Sequence, residues 1–533
     1  MAGGRRVSRD KDGMETRRKK LNKDIVFPSI IVFTMLILLL FVCPFSPFYR
    51  YCFEPDEICY RIVSKGLLSG KIPYRDLFDH KGPLLYFIYA LGMLITGGSS
   101  FGIWIVFALI NSASFFFLYK SARLFFDPDV SFAGVMLSIA FLFFDRYTIF
   151  VSGSKPEHIV LLLLLASEYI FLRRIYSKRE KPLEDIFTPK DMLLFGLLCG
   201  GVFVLKMNFC IYYLCFLGMY FLYQLFHKSF KSFFRNAAVF LGGIVAVCIP
   251  FMLFFAAHGA LDDLIDTYFT FNTRYARTGG YELLYFRPWI QFDVKIAINI
   301  FFILGVLLFA GAFFKEKEKS PGRKQSIIYI LLSFVIIGFI TLPLIYRYAL
   351  VTLLPLLAFG PCFLVSFLKE HFPKGRMPVL ASVAATLLIG YYVVAISCIY
   401  PPIPKEKTAL EVKMEAYSEQ VPDATYLFYV CLCHYYFYDM TSEVPDFKYF
   451  YAPNFDKLPI IQQQAKLIET GVPDAVSFVR TPDLDDAFME SFEEFFRKCG
   501  YHLYAFDEEP VNERVYVFIR ESQYEALTSN TIS

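Results

Sequence analysis

The sequence predicts an all-α polytopic membrane protein that ends in a small α/β domain, and three observations support this. Of the 533 residues, 56% are hydrophobic and only 19% are charged, whereas soluble domains carry about 25% charged residues. Apolar segments long enough to span a bilayer recur between residues 25 and 400, and a polar, acidic tail follows them. One water-soluble core cannot bury this much apolar surface, so lipid must solvate much of the chain.

Twelve apolar segments are candidates for membrane spans. The first, Ile25 to Cys43, has no small-residue cleavage site after it, so we interpret it as an uncleaved signal anchor. Segment 83–97 is short and ends in a Gly-Ser turn, which favours a half-span or one arm of a hairpin. Since crossings must alternate, we expect 11 spans, with 13 as the alternative. The other candidates lie at about residues 101–119, 130–150, 156–172, 191–205, 209–226, 237–257, 294–314, 326–345, 348–368 and 377–400.

Basic residues set the expected orientation, because loops rich in Lys and Arg stay in the cytoplasm. The amino-terminal segment 1–24 is basic and is expected inside. The first polar loop (residues 44–82), the second polar loop (residues 258–293) and the tail (residues 401–533) are then expected outside. The further basic loops are residues 173–190, 227–235, 315–324 and 369–376. Topology accounts for these basic residues, so no nucleic-acid partner is expected.

The tail is predicted to be a small, acidic α/β accessory domain that follows a membrane domain at residues 25–400. From residue 405 onward there are 23 acidic and 11 basic residues, while residues 1–404 carry 42 basic and 26 acidic ones. Short β-branched and aromatic runs predict strands, and amphipathic stretches predict helices. The predicted strands are Thr425 to Val430, Asp474 to Val479 and Arg514 to Arg520, and the predicted helices are Ile460 to Thr470 and Leu484 to Cys499.

The first polar loop has the residues of a reaction site. Asp56 and Glu57 follow the first span closely, and His80-Lys81 directly precedes the next apolar segment. The membrane would hold these motifs close together. Transfer from a lipid phosphate suits this combination, because a carboxylate can deprotonate the acceptor and a cation can hold the departing phosphate, which is already a good leaving group. The alternative is that the loop is polar only because it connects two spans.

The order of these motifs resembles that of the GT-C glycosyltransferases, especially the bacterial relatives of protein O-mannosyltransferases and of the aminoarabinose transferase. In that family the first outer loop carries an Asp-Glu pair, a proline-aromatic stretch and a His-Lys-Pro-Pro motif. This chain has Asp56-Glu57 and His80-Lys81-Gly82-Pro83. Gly82 replaces the first proline and leaves Lys81 in place. The resemblance covers about residues 25–400, and many bacterial relatives also end in a small outer α/β domain.

Three further stretches resemble the family pattern. Lys155-Pro156-Glu157 opens a span, the glycine-rich segment 196–206 ends in Lys206, and Tyr346-Arg347-Tyr348 lies in a late span. The resemblance implies an inverting glycosyltransferase that moves a hexose or pentose from a polyprenyl-phosphate donor. The acceptor would lie outside the cytoplasmic membrane, as a cell-envelope glycan, lipid or protein does. The motifs specify neither the sugar nor the acceptor.

The resemblance also implies roles for single residues. Asp56 matches the catalytic base with Glu57 as its neighbour, and Lys81 matches the contact to the donor phosphate with His80 beside it. Arg347 is a second candidate contact to that phosphate. The alternatives are helix capping for Asp56 and a Lys81 that merely extends from the membrane edge into water. Further candidate substrate contacts are Glu157, Lys206, Arg75 and Tyr74.

No obligatory metal is expected, although a divalent ion stays open. The acidic residues of the second polar loop match no specific ligand spacing, and that loop could instead cover the donor or read the acceptor. Its polar residues are Asp262, Asp263, Asp266, Arg274, Tyr275 and Arg277. The competing class of function is a multi-span transporter or a lipid or glycan flippase. Transporters tend to carry ionisable residues near the membrane midplane, often in repeated halves, and this sequence has no matching halves.

Overall fold

The computed structural model describes residues 4–50, 52, 54–144, 152–177, 186–278, 359–372, 375–399, 407–430, 444–453, 457–480, 484, 486–506 and 514–529. Contacts divide the chain into two compact units. The helical unit comprises Met1–Ser46, Trp104–Pro250 and Glu282–Tyr400. The loop-and-tail unit comprises Pro47–Ile103, Phe251–Tyr281 and Pro401–Ser533. The tail therefore groups with parts of both polar loops, whereas the sequence suggested a division at residue 400.

The described residues are mostly helical. The helices in chain order are α1 (Gly4–Val42), α2 (Pro55–Leu68), α3 (Pro83–Ile95), α4 (Phe101–Ala122), α5 (Pro128–Phe144), α6 (Pro156–Ser177), α7 (Pro189–Lys206), α8 (Ile211–Phe226), α9 (Phe230–Ala257), α10 (Leu261–Leu264), α11 (Asn272–Thr278), α12 (Phe359–His371), α13 (Met377–Ile399), α14 (Ala409–Gln420), α15 (Lys457–Glu469), α16 (Asp486–Lys498) and α17 (Glu521–Ser529). A 3₁₀ turn, Met207–Cys210, joins α7 to α8, and a π-helical segment, Ile265–Phe271, joins α10 to α11.

Several of the described helices carry large apolar side chains that are exposed on the protein surface. On α9, Leu241 is 57% and Leu253 is 64% exposed, and on α13 Leu387 is 69% exposed. Rows of exposed large apolar side chains are unfavourable in water, and a bilayer is the solvent that suits them. Among the described residues, five helices are long and apolar enough to cross a membrane, namely Lys23–Val42, Phe101–Ala122, Pro189–Tyr213, Phe230–Ala257 and Met377–Ala395. The chain is therefore a multi-pass membrane protein.

The short segment after the first polar loop forms helix α3, which a glycine turn joins to α4. Helix α3 has 13 residues and is about 20 Å long at 1.5 Å per residue, less than the ~30 Å hydrocarbon core. A turn with positive φ at Gly97 and Gly98 leads into α4. A Cβ atom on Gly102 would lie 1.8 Å from the carbonyl oxygen of Gly92, so both glycines allow the two backbones to touch. The predicted spans at 294–314 and 326–345 lie outside the described residues, and the count of 11 or 13 stays a prediction.

The tail contains a four-stranded mixed sheet with strand order β1-β2-β4-β3. Strand β1 pairs in parallel with β2, whereas β4 pairs antiparallel with both β2 and β3. The strands are β1 (Tyr426–Phe428), β2 (Ala475–Arg480), β3 (Tyr501–Phe506) and β4 (Arg514–Arg520). The predicted strands coincide with β1, β2 and β4, and the predicted helices coincide with α15 and α16. Strand β3 and helices α14 and α17 were not predicted.

Candidate active site

Prolines at helix starts fix where the motif residues lie. Helices α2, α3 and α7 each have proline in the first turn, and α6 begins at a proline. Proline suits that position because its φ angle is already helical and its missing N–H has no partner to lose there. As a result, Asp56 and Glu57 lie in the first turn of α2, and Glu157 lies in the first turn of α6. His80 and Lys81 immediately precede the start of α3.

The two carboxylates of α2 differ in exposure. Glu54 is the N-cap residue of α2 and makes no side-chain capping bond, so Asp56 lies inside the helix and is not its cap. Asp56 is half-buried and has no hydrogen bond or ion pair with any described residue, whereas Glu57 is fully buried. Asp56 is therefore the carboxylate of the pair that a substrate can reach.

Lys81 lies against α2, where its partners are uncharged. Its Nζ atom is 5.7 Å from the ring centroid of Tyr60 and 2.9 Å from Nε2 of His80. The backbone carbonyl of Lys81 accepts hydrogen bonds from the hydroxyls of Tyr74 at 2.7 Å and Tyr86 at 3.2 Å. Tyr60 is one helical turn beyond the acidic pair, and residues three or four apart are neighbours on a helix surface. The structure thus brings the cation to the face of α2 that begins with the two carboxylates.

The imidazole of His80 links Lys81 to a buried carboxylate. An ammonium group can only donate, so Nε2 of His80 accepts and the ring proton resides on Nδ1. Nδ1 lies 3.5 Å from Oδ1 of Asp79, which also accepts the backbone N–H of His80 at 2.7 Å. Burial raises the pKa of the Asp79 carboxyl, while the charge of Lys81 and hydrogen bonds from Tyr86 and Tyr451 oppose that rise. The sequence did not single out Asp79.

Tyr74 and Arg75 form a turn just before this motif. Tyr74 has a φ of +71° and is fully buried, and its N–H donates to the carbonyl of Leu77 at 2.8 Å. The exposed guanidinium of Arg75 donates to Asp76 at 2.8 Å and to the carbonyl of His258 at 2.7 Å. The hydrogen bond from Arg75 lowers the pKa of Asp76. Tyr74 and Arg75, which the sequence suggested as substrate contacts, thus already have structural partners within the protein.

The second polar loop reaches the same motif. The side-chain amide of Asn272 donates to the carbonyl of His80 at 2.6 Å. The rings of Phe271 and Tyr275 lie 5.5 and 5.8 Å from the His80 imidazole. Sequence reasoning named Tyr275 but missed Asn272 and Phe271. These two residues lie where the π-helical segment ends, and such segments are frequent at functional sites, but nothing in the sequence marks one here.

The tail also reaches the motif, which the sequence did not suggest. The hydroxyl of Tyr451 donates to Oδ1 of Asp79 at 3.0 Å, and the N–H of Phe78 donates to the carbonyl of Lys448 at 2.8 Å. The tyrosine and the carboxylate are 372 positions apart in the chain. No local periodicity carries information across such a separation, so only the folded structure could reveal this contact.

A second charged cluster lies within the helical unit. Glu157 and Lys206 form an ion pair in which the carboxylate side chain is 5% exposed and the lysine side chain 18% exposed. Beside it, Nδ1 of His158 lies 2.6 Å from Oδ1 of Asn111, and both side chains are buried. The structure thus brings the predicted residues Glu157 and Lys206 together. Arg347 lies outside the described residues, and its role stays a prediction.

The acidic side chains of the described residues do not form a metal site. Among the residues that the structure describes, no three His, Cys, Asp or Glu side chains are grouped so that they could hold a metal ion. In the second polar loop, Asp263 forms an ion pair with Lys448 at 2.9 Å, while Asp262 and Asp266 are exposed. The metal requirement of the protein therefore stays a prediction.

Comparison with known sequences gives one match. A family model described as dolichyl-phosphate-mannose-protein mannosyltransferase matches residues 80–255, beginning at His80. No curated protein matches the sequence significantly. The matched segment includes Lys81, Glu157 and Lys206 but ends before the tail, and it begins after the acidic pair of α2.

Solved structures resemble the fold of this chain over a larger part of its length than the family model does. ArnT from Cupriavidus metallidurans bound to undecaprenyl phosphate is 12% identical, with 92% of this chain and 97% of that chain covered at a TM-score of 0.52. The oligosaccharyltransferase AglB from Archaeoglobus fulgidus, in complex with an inhibitory peptide and a dolichol-phosphate, is 13% identical, with 92% and 74% covered at 0.50. Another structure of the Archaeoglobus fulgidus oligosaccharyltransferase, with Zn and sulfate, has a TM-score of 0.43, and this chain spans 56% of its length. At these identities the likeness concerns the fold alone.

Proposed function

Because the chain has the GT-C fold of membrane glycosyltransferases, we propose that it transfers a sugar from a polyprenyl-phosphate donor to an acceptor outside the cytoplasmic membrane. The ArnT structure with undecaprenyl phosphate and the AglB structure with a dolichol-phosphate support this donor class. The acceptor is a hydroxyl or amine of a cell-envelope glycan, lipid or protein. The sugar is a hexose or pentose, and its anomeric configuration is inverted.

One observation supports this function above the others. Lys81 lies over the ring of Tyr60, one helical turn from Asp56 and Glu57, and its described partners are uncharged. A positive charge that has no ion-pair partner among the described residues, near the helix turn that carries an accessible carboxylate, suits a reaction with a phosphate leaving group and a basic catalyst. A lysine that merely reaches from the membrane edge into water would not need a histidine and three tyrosines around it.

In the proposed reaction, Asp56 removes the proton of the acceptor as the acceptor attacks the anomeric carbon. The bond from that carbon to the phosphate oxygen breaks, and the polyprenyl phosphate leaves with the electron pair. Attack from the face opposite the phosphate gives inversion. Lys81 stabilises the negative charge on the departing phosphate, and it has two ammonium hydrogens left after donating to His80. The buried Glu57 supports Asp56 and is not itself the base.

The remaining predicted residues receive narrower roles. Tyr74 supports the backbone of Lys81 through its hydroxyl, and Arg75 fastens the first polar loop to the second. His80 orients the ammonium group of Lys81. Glu157, Lys206 and Arg347 are kept as candidate contacts to donor or acceptor. No obligatory metal is proposed.

The function is tested with the purified full-length protein in detergent. Synthetic short-chain polyprenyl phosphates that carry different hexoses and pentoses are offered as donors, with envelope glycans, lipid A and peptides as acceptors. Turnover of at least one donor to free polyprenyl phosphate with sugar on an acceptor is expected. Passage of the intact lipid-linked sugar across a proteoliposome membrane, without transfer by the same preparation, would contradict the proposal and favour the flippase alternative.

We also propose that the site and the tail are outside the cytoplasm, since the basic loops then lie inside. A reporter that is active only in the cytoplasm should be silent when fused after Ser533 and active when fused to the loop at residues 227–235. Activity at both positions would contradict an outward-facing site.

A further inference from the structure

A short segment of the tail packs directly onto the first polar loop. We call residues 444–453 the contact segment. Its residue Lys448 accepts the backbone N–H of Phe78 at 2.8 Å. The rings of Tyr449 and Tyr451 lie 5.3 and 6.1 Å from the ring of Phe78. The contact segment therefore adds a backbone bond and two aromatic contacts just before the His80-Lys81 motif.

Ion pairs at the edges of the contact segment contribute little to this attachment. Lys448 pairs with Asp263 at 2.9 Å, and Lys71 pairs with Asp446. Asp446 is 84% exposed and the other three side chains are between 23% and 30% exposed. Exposed pairs contribute about 0–1 kcal/mol because solvent screens them. The buried contacts of the segment are therefore the ones that can order the loop.

The buried contact is a hydrogen bond from Tyr451 to Asp79. The carboxylate is 1% and the tyrosine 3% exposed, and the hydroxyl lies 3.0 Å from Oδ1. The same oxygen accepts the backbone N–H of His80 at 2.7 Å and lies 3.5 Å from its Nδ1. A buried carboxylate that lost one donor would turn toward the others or draw in water, because an unsatisfied acceptor is costly. Together with the hydrogen bond from Tyr86, the hydroxyl thus fixes the orientation of the carboxylate beside His80.

We infer that Tyr451 is a positioning residue for Lys81, acting from the tail through Asp79 and the backbone of His80. The inference rests on the proposed function, in which Lys81 binds the donor phosphate. Asp79 accepts the backbone N–H of His80 at 2.7 Å, and Nε2 of the His80 imidazole lies 2.9 Å from the ammonium of Lys81. On this inference, the tail helps to position the donor-binding lysine.

Other elements hold His80 differently, so the contribution of the tail can be separated from theirs. From the second polar loop, Asn272 binds the backbone carbonyl of His80, and Phe271 and Tyr275 pack on its ring. These contacts fix where the residue lies. The oxygen of Asp79 that Tyr451 binds also accepts the His80 N–H. A shift of this carboxylate would therefore move the backbone that carries His80 and Lys81.

The test compares two tyrosines of the contact segment. Tyr451→Phe removes the hydroxyl that reaches Asp79, while Tyr449→Phe removes a hydroxyl with no hydrogen bond to a described residue and keeps the ring on Phe78. In the full-length protein, Tyr451→Phe should raise the KM for a short-chain polyprenyl-phosphate sugar about 10-fold, since hydrogen bonds to charged groups are worth about one factor of ten or more. The KM for the acceptor should stay within about 2-fold. Tyr449→Phe should behave like the natural protein.

Hydrogen exchange gives a second readout that does not depend on turnover. Peptides that contain the amides of residues 78–81 should exchange faster in Tyr451→Phe than in Tyr449→Phe, because the His80 amide donates to Asp79. Equal exchange and equal donor KM in the two variants would overturn the inference. An equal rise of donor and acceptor KM in Tyr451→Phe would also overturn it, since that pattern indicates general loosening. If the natural protein transfers no sugar, the proposed function fails, and the exchange comparison still decides whether Tyr451 orders the motif.

Discussion

Lys81 and Lys206 are both recessed lysines beside a predicted carboxylate, but the structure gives them opposite surroundings. Lys206 lies at the end of α7 and forms an ion pair with Glu157. Lys81 precedes α3, and its nitrogen contacts a neutral imidazole and a tyrosine ring. No described carboxylate forms an ion pair with it. One lysine has a carboxylate at ion-pair distance, whereas the other is held by neutral groups and interacts with the Asp79 carboxylate only at longer range.

The different surroundings of Lys206 and Lys81 suit the two lysines to different roles. A buried ion pair mainly satisfies its own members, and removing one member leaves an uncompensated charge. A cation held by neutral groups is preorganised for an anion, because no internal carboxylate has to be displaced when the anion binds. We therefore expect changes at the Lys81 site to affect turnover and donor binding, and changes at the Glu157–Lys206 pair to affect stability first.

The largest effect is expected at the base. Asp56→Asn should reduce turnover about 10²- to 10⁴-fold, because the amide has a similar shape but cannot accept the acceptor's proton. Donor binding and folding should stay unchanged, which is checked by titration with a short-chain polyprenyl phosphate and by thermal unfolding in detergent. Glu57→Gln should cost less, and Asp423→Asn on the exposed surface of the tail should cost nothing. Near-normal turnover in Asp56→Asn with an inactive Glu57→Gln would assign the base to Glu57 instead.

The next largest effect is expected at the buried pair. Lys206→Met leaves the Glu157 carboxylate buried without its partner, which should destabilise the protein by about 3–5 kcal/mol. The double variant Glu157→Gln/Lys206→Met removes both charges and should recover most of that loss. Unfolding in detergent measures both variants. A single variant as stable as the natural protein, with a donor KM raised many-fold, would place Lys206 in the donor site and remove the contrast with Lys81.

Lys81→Met should weaken donor binding and turnover together, by about 10- to 100-fold. A charge-assisted hydrogen bond to a phosphate is worth roughly 1.5–3 kcal/mol. Lys71→Met, in the same loop but paired with an exposed carboxylate, serves as the matched control. Equal donor affinity in Lys81→Met and in the natural protein would mean that another cation holds the phosphate.

The smallest effect is expected at the turn that carries Arg75. Arg75→Ala should lower stability by less than about 1 kcal/mol, since the guanidinium is exposed. The pKa of Asp76 is lowered by the hydrogen bond from Arg75, so this contribution is present above the unfolded-state pKa of the carboxyl and is lost as the pH falls below it. Arg75→Ala and the natural protein should therefore differ more in thermal unfolding at pH 7 than at a pH below the folded-state pKa of Asp76, where only the bond to the carbonyl of His258 is still lost. A difference of equal size at both pH values would exclude the ion pair as its cause.

The parts of this architecture that depend on short stretches of sequence were predictable. Apolar run length predicted the spans that the structure describes, and the motif order predicted a resemblance to GT-C enzymes, in line with the similarity of the fold to that of ArnT. Lys81 could be named because a cation directly before a proline-led helix is visible in the sequence. The pairing of Glu157 with Lys206 was not predicted, although each residue was named, because side chains 49 positions apart meet only through helix packing.

Residues that act through distant contacts could not be predicted. Asp79 looks like any acidic loop residue until its burial and its bond to Tyr451 are known. Asn272 is an ordinary polar residue near the end of a helix-forming stretch. The roles of Asp79 and Asn272 follow from contacts with residues far away in the chain. Such contacts leave no periodic pattern in the sequence. The tail was accordingly taken as a separate accessory, whereas its contact segment touches the first polar loop.

The left-handed backbone of Tyr74 has a consequence for engineering. A non-glycine residue at a φ of +71° costs about 1–2 kcal/mol relative to glycine. Tyr74→Gly would remove that strain but also the hydroxyl that holds the carbonyl of Lys81 and the ring buried against Tyr86 and Phe255. Removing a buried aromatic ring costs about 3–5 kcal/mol, which exceeds the strain that would be released. Selection for stability and selection for turnover would therefore both keep tyrosine at position 74, despite its strained backbone.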